Sequence, residues 1–483
     1  MKNCMSDIKK NFIYNIVYQI LIMIIPLITM PYVSRVLGST GIGTYSYTYS
    51  IVYYFMMFAM LGFNNYGNRS IAKVRDNKEN LSKTFKEIYC MQIITSFLMI
   101  ILYFLYLIIF DVKYKEIALI QSIYIISCLF DINWFFFGIE KFKLTVTRNT
   151  IIKILSLLFI FLFVKSKNDV WIYTLILSGC ILLSQLSLWP FVSKYVTNVD
   201  INFKDVFQHF KPCLKLFLPV IAVAIYKVMD KTMLGWFSNI SEVGFYENAE
   251  KIINVPNAII SALGTVMLPR MSNLYAKNKN EESKKVIDKS IKLMMFLAFA
   301  MTFGLICVSK NFSILFFGQD FAKSGIIINL LSITVLFLSW GNVLRTQYLI
   351  PKEYDKIYIE SAFLGAMVNL VFNLIFIPKY ASIGACIGTI FAELSVVLFQ
   401  TISIKKELPI KKYIKDIIPL FVSSLIMFII IYLLNFVKIN DIIRIVIQVI
   451  LGCLIYYVLN YRYVNNLINI DKLILKIRKK VKK

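Results

Sequence analysis

Histidine occurs once in 483 residues, acidic residues number only 27, and charged side chains of both signs make up 17% of the chain. A lone His209 excludes the usual histidine-rich metal centre, because ligands come in clusters; neither a metal nor a cofactor is expected. Paired cysteines are also missing. Cys4, Cys90, Cys128, Cys180, Cys213, Cys307, Cys386 and Cys453 stand singly, mostly inside apolar runs and without a CxxC pair. That excludes a zinc ribbon or a disulfide framework and leaves small core residues. A soluble chain is about a quarter charged, so the scarcity of charge excludes water as the solvent for most of this one.

What is present is apolar. Hydrophobic residues make up 58% of the chain and the mean hydropathy is +0.70. Apolar runs of about 18 to 25 residues, enough to cross a hydrocarbon layer as a helix, recur from end to end. Helices satisfy their own backbone hydrogen bonds in lipid, so the sequence predicts an all-α polytopic membrane protein. Spans are expected near 12–33, 43–65, 87–110, 116–138, 146–164, 169–192, 213–236, 242–268, 289–309, 324–349, 357–378, 382–404, 413–436 and 441–461, about 14 transmembrane helices. The first run, Asn11 to Tyr32, follows Lys9 and Lys10 but is too long for a signal h-region and has no small-residue cleavage site.

The net charge of +26 suits nucleic acid until its distribution is considered. With the N-terminus inside, the two tails and the alternate connections hold most of the lysines and arginines. This is the positive-inside bias, which predicts both termini in the cytoplasm and no nucleic acid partner. The tail KIRKKVKK then lies against anionic lipid. Connections are short except around GNRSIAKVRDNKENLSKTFKE, VTNVDINFKDVFQHFK and MSNLYAKNKNEESKKVIDKS. None has room for a folded catalytic domain, so no enzyme is expected.

The chain also repeats. Pro26, Leu37-Gly38, GIGTY and Arg69 are echoed by Pro219, Leu234-Gly235, EVGFY and Arg270, with Tyr45 to Tyr246 and Arg69 to Arg270 both 201 residues apart. Parallel repeats of this kind predict two six-helix lobes related by a pseudo-twofold along the membrane normal, with a site between them. The expected organisation is an N-terminal lobe over 1–200, a C-terminal lobe over 201–405, and two further helices with the basic tail over 406–483.

The segments NIVYQILIMIIPLITMPYVSRVLGSTGIGTYSY, GFNNYGNRSIAKVR, DINWFFFGIEKFKLTVTRN and LPVIAVAIYKVMDKTMLGWFSNISEVGFYENAEKI resemble the polysaccharide-exporter branch of the multidrug/oligosaccharidyl-lipid/polysaccharide superfamily. That superfamily holds Wzx-type flippases, the lipid II flippase MurJ and the MATE exporters. The resemblance covers roughly residues 8 to 405. It implies alternating access and a cationic cavity for the diphosphate of an undecaprenyl-linked glycan. It also implies a bacterial cytoplasmic membrane location. The expected partners are the lipid-linked oligosaccharide, membrane lipids, H+ or Na+ as coupling ion, and polymerase or assembly proteins.

Ionisable residues inside apolar spans cost several kcal/mol when they face lipid, so they point into a bundle or a cavity. Lys227, Asp230 and Lys231 fall on one helical face, and Glu247 and Lys251 are four apart on the next helix. Either these groups pair only with one another, or Lys227, Lys231 and Lys251 offer charge to phosphate oxygens while Asp230 and Glu247 orient them. Arg35 matches an arginine-bearing position of the family and either meets the same ligand or snorkels to headgroups. Lys153 is a further cavity candidate, whereas Arg345 reads as a snorkelling residue. Glu247 and Glu393 are candidate coupling carboxylates, and Asp131 is read as a local anchor beside Trp134. A MATE-like cation exporter is the alternative, which the lysine surplus disfavours. A membrane-embedded glycosyltransferase or polymerase is a more distant one, since the outer connections are short.

Overall fold

The computed structural model describes the backbone of residues 2–468, with side chains described for residues 25–465 except 218–220, 222, 223 and 225–227. The tail KIRKKVKK lies outside the described residues. Elements are helical throughout, with no strand among the described residues. The chain packs as two compact units, Met1–Gly244 and Phe245–Lys483.

The first unit holds α1 (Lys2–Met60), α2 (Phe63–Val74), α3 (Lys78–Ile109), α4 (Lys115–Leu129), α5 (Asn133–Gly138), α6 (Phe142–Phe163), α7 (Val170–Leu186), α8 (Phe203–Phe207), α9 (Phe210–Phe237) and the start of α10 (Ile240–Ala276). Two expected spans merge in α1, where the connection shrinks to one residue. Gly38 alone leaves helical geometry, at φ 68° and ψ −179°. Glycine reaches that left-handed φ without a Cβ clash, so the helix turns there and resumes. Beyond the kink, α1 crosses the first turn of α10 at van der Waals distance. A Cβ on Gly43 would lie 1.9 Å from the carbonyl oxygen of Ile240, and one on Gly244 would lie 2.1 Å from that of Ser39. The hydroxyls of Thr40 and Ser241, 201 residues apart, approach to 3.3 Å in the same crossing. Small residues let backbones meet in this way between membrane helices.

Aromatic side chains fill the interior of this unit. Phe85, Trp134, Phe135 and Phe136 are buried in one cluster, with the Phe85 and Phe135 rings 4.7 Å apart. The Trp134 indole N–H donates to Gln92 Oε1 at 2.9 Å, which satisfies the polar tip of an otherwise apolar group. Asn77 begins α3 by accepting from the amides of Glu79 and Asn80, both at 3.0 Å, as helix N-caps do. Most of residues 67–87, read from sequence as a connection, is therefore helical: α2 and the first turns of α3.

The second unit holds the rest of α10, then α11 (Asn280–Phe317), α12 (Ala322–Leu344), α13 (Asp355–Tyr380), α14 (Ser382–Ile404), α15 (Ile410–Leu433), α16 (Asp441–Leu459) and α17 (Tyr461–Ile468). Residues 271–290 are again helical on both sides of a tight reversal, where Asn278 takes a left-handed φ of 55°. Lys292 on α11 joins Asp288 at 2.8 Å and Asp416 of α15 at 2.9 Å, and the Tyr456 hydroxyl donates to the Phe296 carbonyl at 3.0 Å. These bonds seat the last helices on α11. After the π-turn Arg345–Leu349, Lys352 donates to Glu407 at 2.9 Å, and Tyr348 and Tyr354 donate to the same carboxylate. This clasp ties the α12–α13 connection to the α14–α15 connection.

Among the described residues, eleven helical stretches are long and apolar enough to cross a membrane. Both arms of α1 and helix α9 occupy the remaining expected spans. Large apolar side chains such as Phe97, Ile108, Met367, Ile429 and Val458 are exposed along these helices. A water-soluble protein does not tolerate that much apolar surface, whereas lipid covers it. The chain is a multi-pass membrane protein.

Candidate functional site

Arg35 stands on α1 three residues before the kink and is exposed, between buried Ser34 and the Gly38 turn. Lys153 is half-buried on α6. On α9, Asp230 is 3% exposed and Thr232 likewise, with Lys231 half-buried between them. The Thr232 hydroxyl meets that of Ser50 at 2.9 Å, which fixes this turn of α9 against α1. The side chain of Lys227, expected on the same face, lies outside the described residues.

In the second unit, Glu247 and Lys251 form the i, i+4 ion pair expected from their spacing, at 3.0 Å, with the lysine side chain 31% exposed and the carboxylate 11%. Glu393 is buried in the middle of α14, on a helix that packs closely against α13 near Gly365. Arg345 sits at the π-turn with its guanidinium 6.0 Å from the Tyr358 ring centroid.

Two buried polar clusters were not picked out from the sequence. The first surrounds Arg148, which is 9% exposed. Its guanidinium donates to the Ser184 carbonyl at 2.5 Å, to Asn133 Oδ1 at 2.8 Å and to Asn149 Oδ1 at 2.6 Å. Asp131 accepts from the Asn133 side-chain amide at 2.7 Å, and Gln92 donates to the Asp131 carbonyl at 2.9 Å. Asp131 is thus the local anchor its position suggested, held within a network that spans α3, α5, α6 and α7.

The second cluster surrounds His209, which caps α9 and is 7% exposed. One ring nitrogen meets the Tyr66 hydroxyl at 2.7 Å and the other Glu87 Oε2 at 3.0 Å. Lys83 lies 3.7 Å from Glu87 and 3.1 Å from Asp205. The single histidine, read from sequence as part of a polar connection, instead locks the start of α9 to α2 and α3. Its partners are a hydroxyl and a carboxylate from two distant stretches of chain, so no local spacing announced it.

Helices with buried carboxylates and partly exposed lysines, under an apolar surface, make this a polytopic membrane protein with charged groups inside its spans. Comparison with known proteins gives the family. The polysaccharide biosynthesis protein family model matches residues 8–275, and the chain belongs to that family. A Shigella dysenteriae protein named "Putative O-antigen transporter" is 24% identical over 391 residues, covering 79% of this chain and 96% of that protein. The Staphylococcus aureus capsular polysaccharide biosynthesis protein CapF is 23% identical over 392 residues, 78% and 94% of the two chains. Among solved structures, the lipid II flippase MurJ in an inward closed conformation has a TM-score of 0.77 at 19% identity, covering 95% of this chain and 99% of that one. An inward-facing multidrug resistance MATE transporter of the MOP superfamily has a TM-score of 0.57 at 14% identity, covering 80% and 98%. The fold is therefore that of the superfamily suggested by the sequence segments.

Proposed function

We propose that this protein is a flippase that moves an undecaprenyl-diphosphate-linked oligosaccharide from the inner to the outer leaflet of a bacterial cytoplasmic membrane by alternating access. The observation that carries the reading is the family match over residues 8–275, supported by near full-length similarity to transport and capsule-biosynthesis relatives. Lys251, with Lys231, Lys227, Arg35 and Lys153, supplies cations for the diphosphate. Asp230 and Glu247 set the orientation of neighbouring lysines, and the polyprenyl tail stays in lipid. Both termini lie in the cytoplasm, as the positive-inside bias favours. Glu393, buried in the middle of α14, is the second candidate for a coupling carboxylate beside Glu247. We read the chain as a transporter, not an enzyme, working beside the polymerase or assembly proteins that use its product.

The test is complementation of a strain lacking this gene. Lys231→Gln, Lys251→Gln and Lys227→Gln variants that reach the membrane at wild-type level are expected to restore less than a tenth of the surface glycan. Full restoration by all three would remove these lysines from the substrate path. A deletion strain that keeps its glycan but becomes sensitive to cationic drugs would replace the flippase reading with the MATE-like one. New glycosidic bonds formed by purified protein on labelled lipid-linked sugar would replace it with an enzyme.

A further inference from the structure

A groove of about 400 Å³ opens where the last turns of α10 meet the first turns of α11, lined by Met267, Arg270, Glu282, Lys285, Val286, Lys289, Ser290 and Leu293. Those from α11 recur at three- and four-residue spacing, so one face of that helix forms the wall. Met267, Val286 and Leu293 make it apolar, and Arg270, Lys285 and Lys289 line it with three cations. Three neighbouring lysines are already paired: Lys279 with Glu282 at 3.2 Å, Lys284 with Glu281 at 3.1 Å and Lys292 with Asp288 at 2.8 Å. Arg270, Lys285 and Lys289 form no ion pair among the described residues, and the one carboxylate of the groove is taken up by Lys279. Of the cations left over on these turns, Lys277 lies outside the groove and the other three line it.

We infer that this groove binds the phosphate headgroup of a lipid in the inner leaflet, with the start of its chain against Met267, Val286 and Leu293. The inference rests on the flippase reading for the side of the membrane on which the groove opens. It adds a docking place for a phosphate-bearing lipid apart from the charges within the spans. A phosphate ester presents several acceptor oxygens, and a guanidinium with two ammonium groups supplies convergent donors for them. Prenyl diphosphate, glycerophospholipid and free pyrophosphate share this chemistry.

The experiment is native mass spectrometry of the full-length protein in detergent, titrated separately with farnesyl diphosphate, phosphatidylglycerol and inorganic pyrophosphate. Each cation near a phosphate surface is worth about fivefold in binding. The R270Q/K285Q/K289Q variant is therefore expected to bind farnesyl diphosphate at least tenfold more weakly. A K277Q/K279Q/K284Q variant, which removes three charges beside the groove, is expected to change binding by less than twofold. The single variants R270Q and K289Q, each expected to lose several-fold, keep the measurement readable should the triple variant lose its fold. Loss confined to farnesyl diphosphate assigns the groove to the prenyl substrate. Parallel loss of phosphatidylglycerol assigns it to bulk anionic lipid, and loss of pyrophosphate as well assigns it to the phosphate group alone; each outcome upholds the site. Undiminished binding in the groove variants, or equal loss in the flanking variant, overturns it. Either result leaves the flippase reading to the complementation test, which does not read this groove.

Discussion

Replacing Gly43 by alanine sets two effects of known sign against each other. In an ordinary helix interior the change is favourable by about 1 kcal/mol, because alanine gives up less backbone freedom on ordering. Here the new Cβ would stand 1.9 Å from the Ile240 carbonyl oxygen and 2.9 Å from its carbon. No rotamer moves a Cβ, so α1 and α10 must separate by more than ~1 Å, an overpacking that costs roughly 1–3 kcal/mol or more. A contact this short belongs at the upper end of that range, about 3 kcal/mol, so the clash wins and the net loss is about 2 kcal/mol, or a fall in Tm of roughly 4–8 °C for a unit of this size. Gly244→Ala meets the Ser39 carbonyl oxygen at 2.1 Å and is expected to behave alike. Gly179 and Gly304 have nothing within 4 Å of an added Cβ, so alanine there shows the helical gain alone. Thermal unfolding of the four variants in detergent, followed by tryptophan fluorescence, separates the cases. Stability of the Gly43 and Gly244 variants equal to or above wild type would refute the packing argument, since they would then follow the two open positions.

Two further outcomes follow from the buried and clasped groups. His209→Ala strands the buried Glu87 carboxylate and the Tyr66 hydroxyl, and should cost about 1–3 kcal/mol, read as a lower Tm; an unchanged Tm would show that water replaces the ring. In the Glu407 clasp, burial raises the carboxyl pKa, but hydrogen bonds from Tyr348, Lys352 and Tyr354 outweigh it and hold the group below the usual glutamate range. A depressed folded pKa gives stability that is present above the unfolded value and lost as pH falls through the folded one. Wild type should therefore lose stability on acidification below the ordinary glutamate pKa more steeply than Glu407→Gln, and parallel profiles for the two proteins would contradict this.

The spans were legible because lipid demands long apolar runs and tolerates few interruptions. The break between the first two spans was legible in position but not in kind: a segment of turn was expected and a single left-handed glycine suffices. The polar stretches at 67–87 and 271–290 read as connections because they lack apolar runs, yet helices extend beyond the membrane where only one face needs burial. Glu247 and Lys251 were legible because their partnership is local, four residues along one helix. Arg148 and His209 were not, because they are held by groups from distant sequence: Ser184 and Asn133 for the arginine, Tyr66 and Glu87 for the histidine. The basic groove escaped notice for another reason. Its lysines count toward the positive-inside bias, and only their placement around a concavity sets them apart from that background.

The crossing at Gly43 has a reciprocal form: residue 43 abuts 240 while 244 abuts 39, and adding 201, the separation of Thr40 and Ser241, to the first member of one contact while subtracting it from the second produces the other. Between two separate chains such reciprocity marks an isologous dimer. Its presence within one chain is what duplication and fusion of a self-associating half-length ancestor would leave behind. Each glycine is kept small by the backbone that the other copy contributes, so across relatives the two positions should stay minimal together even where the surrounding sequences have lost their likeness.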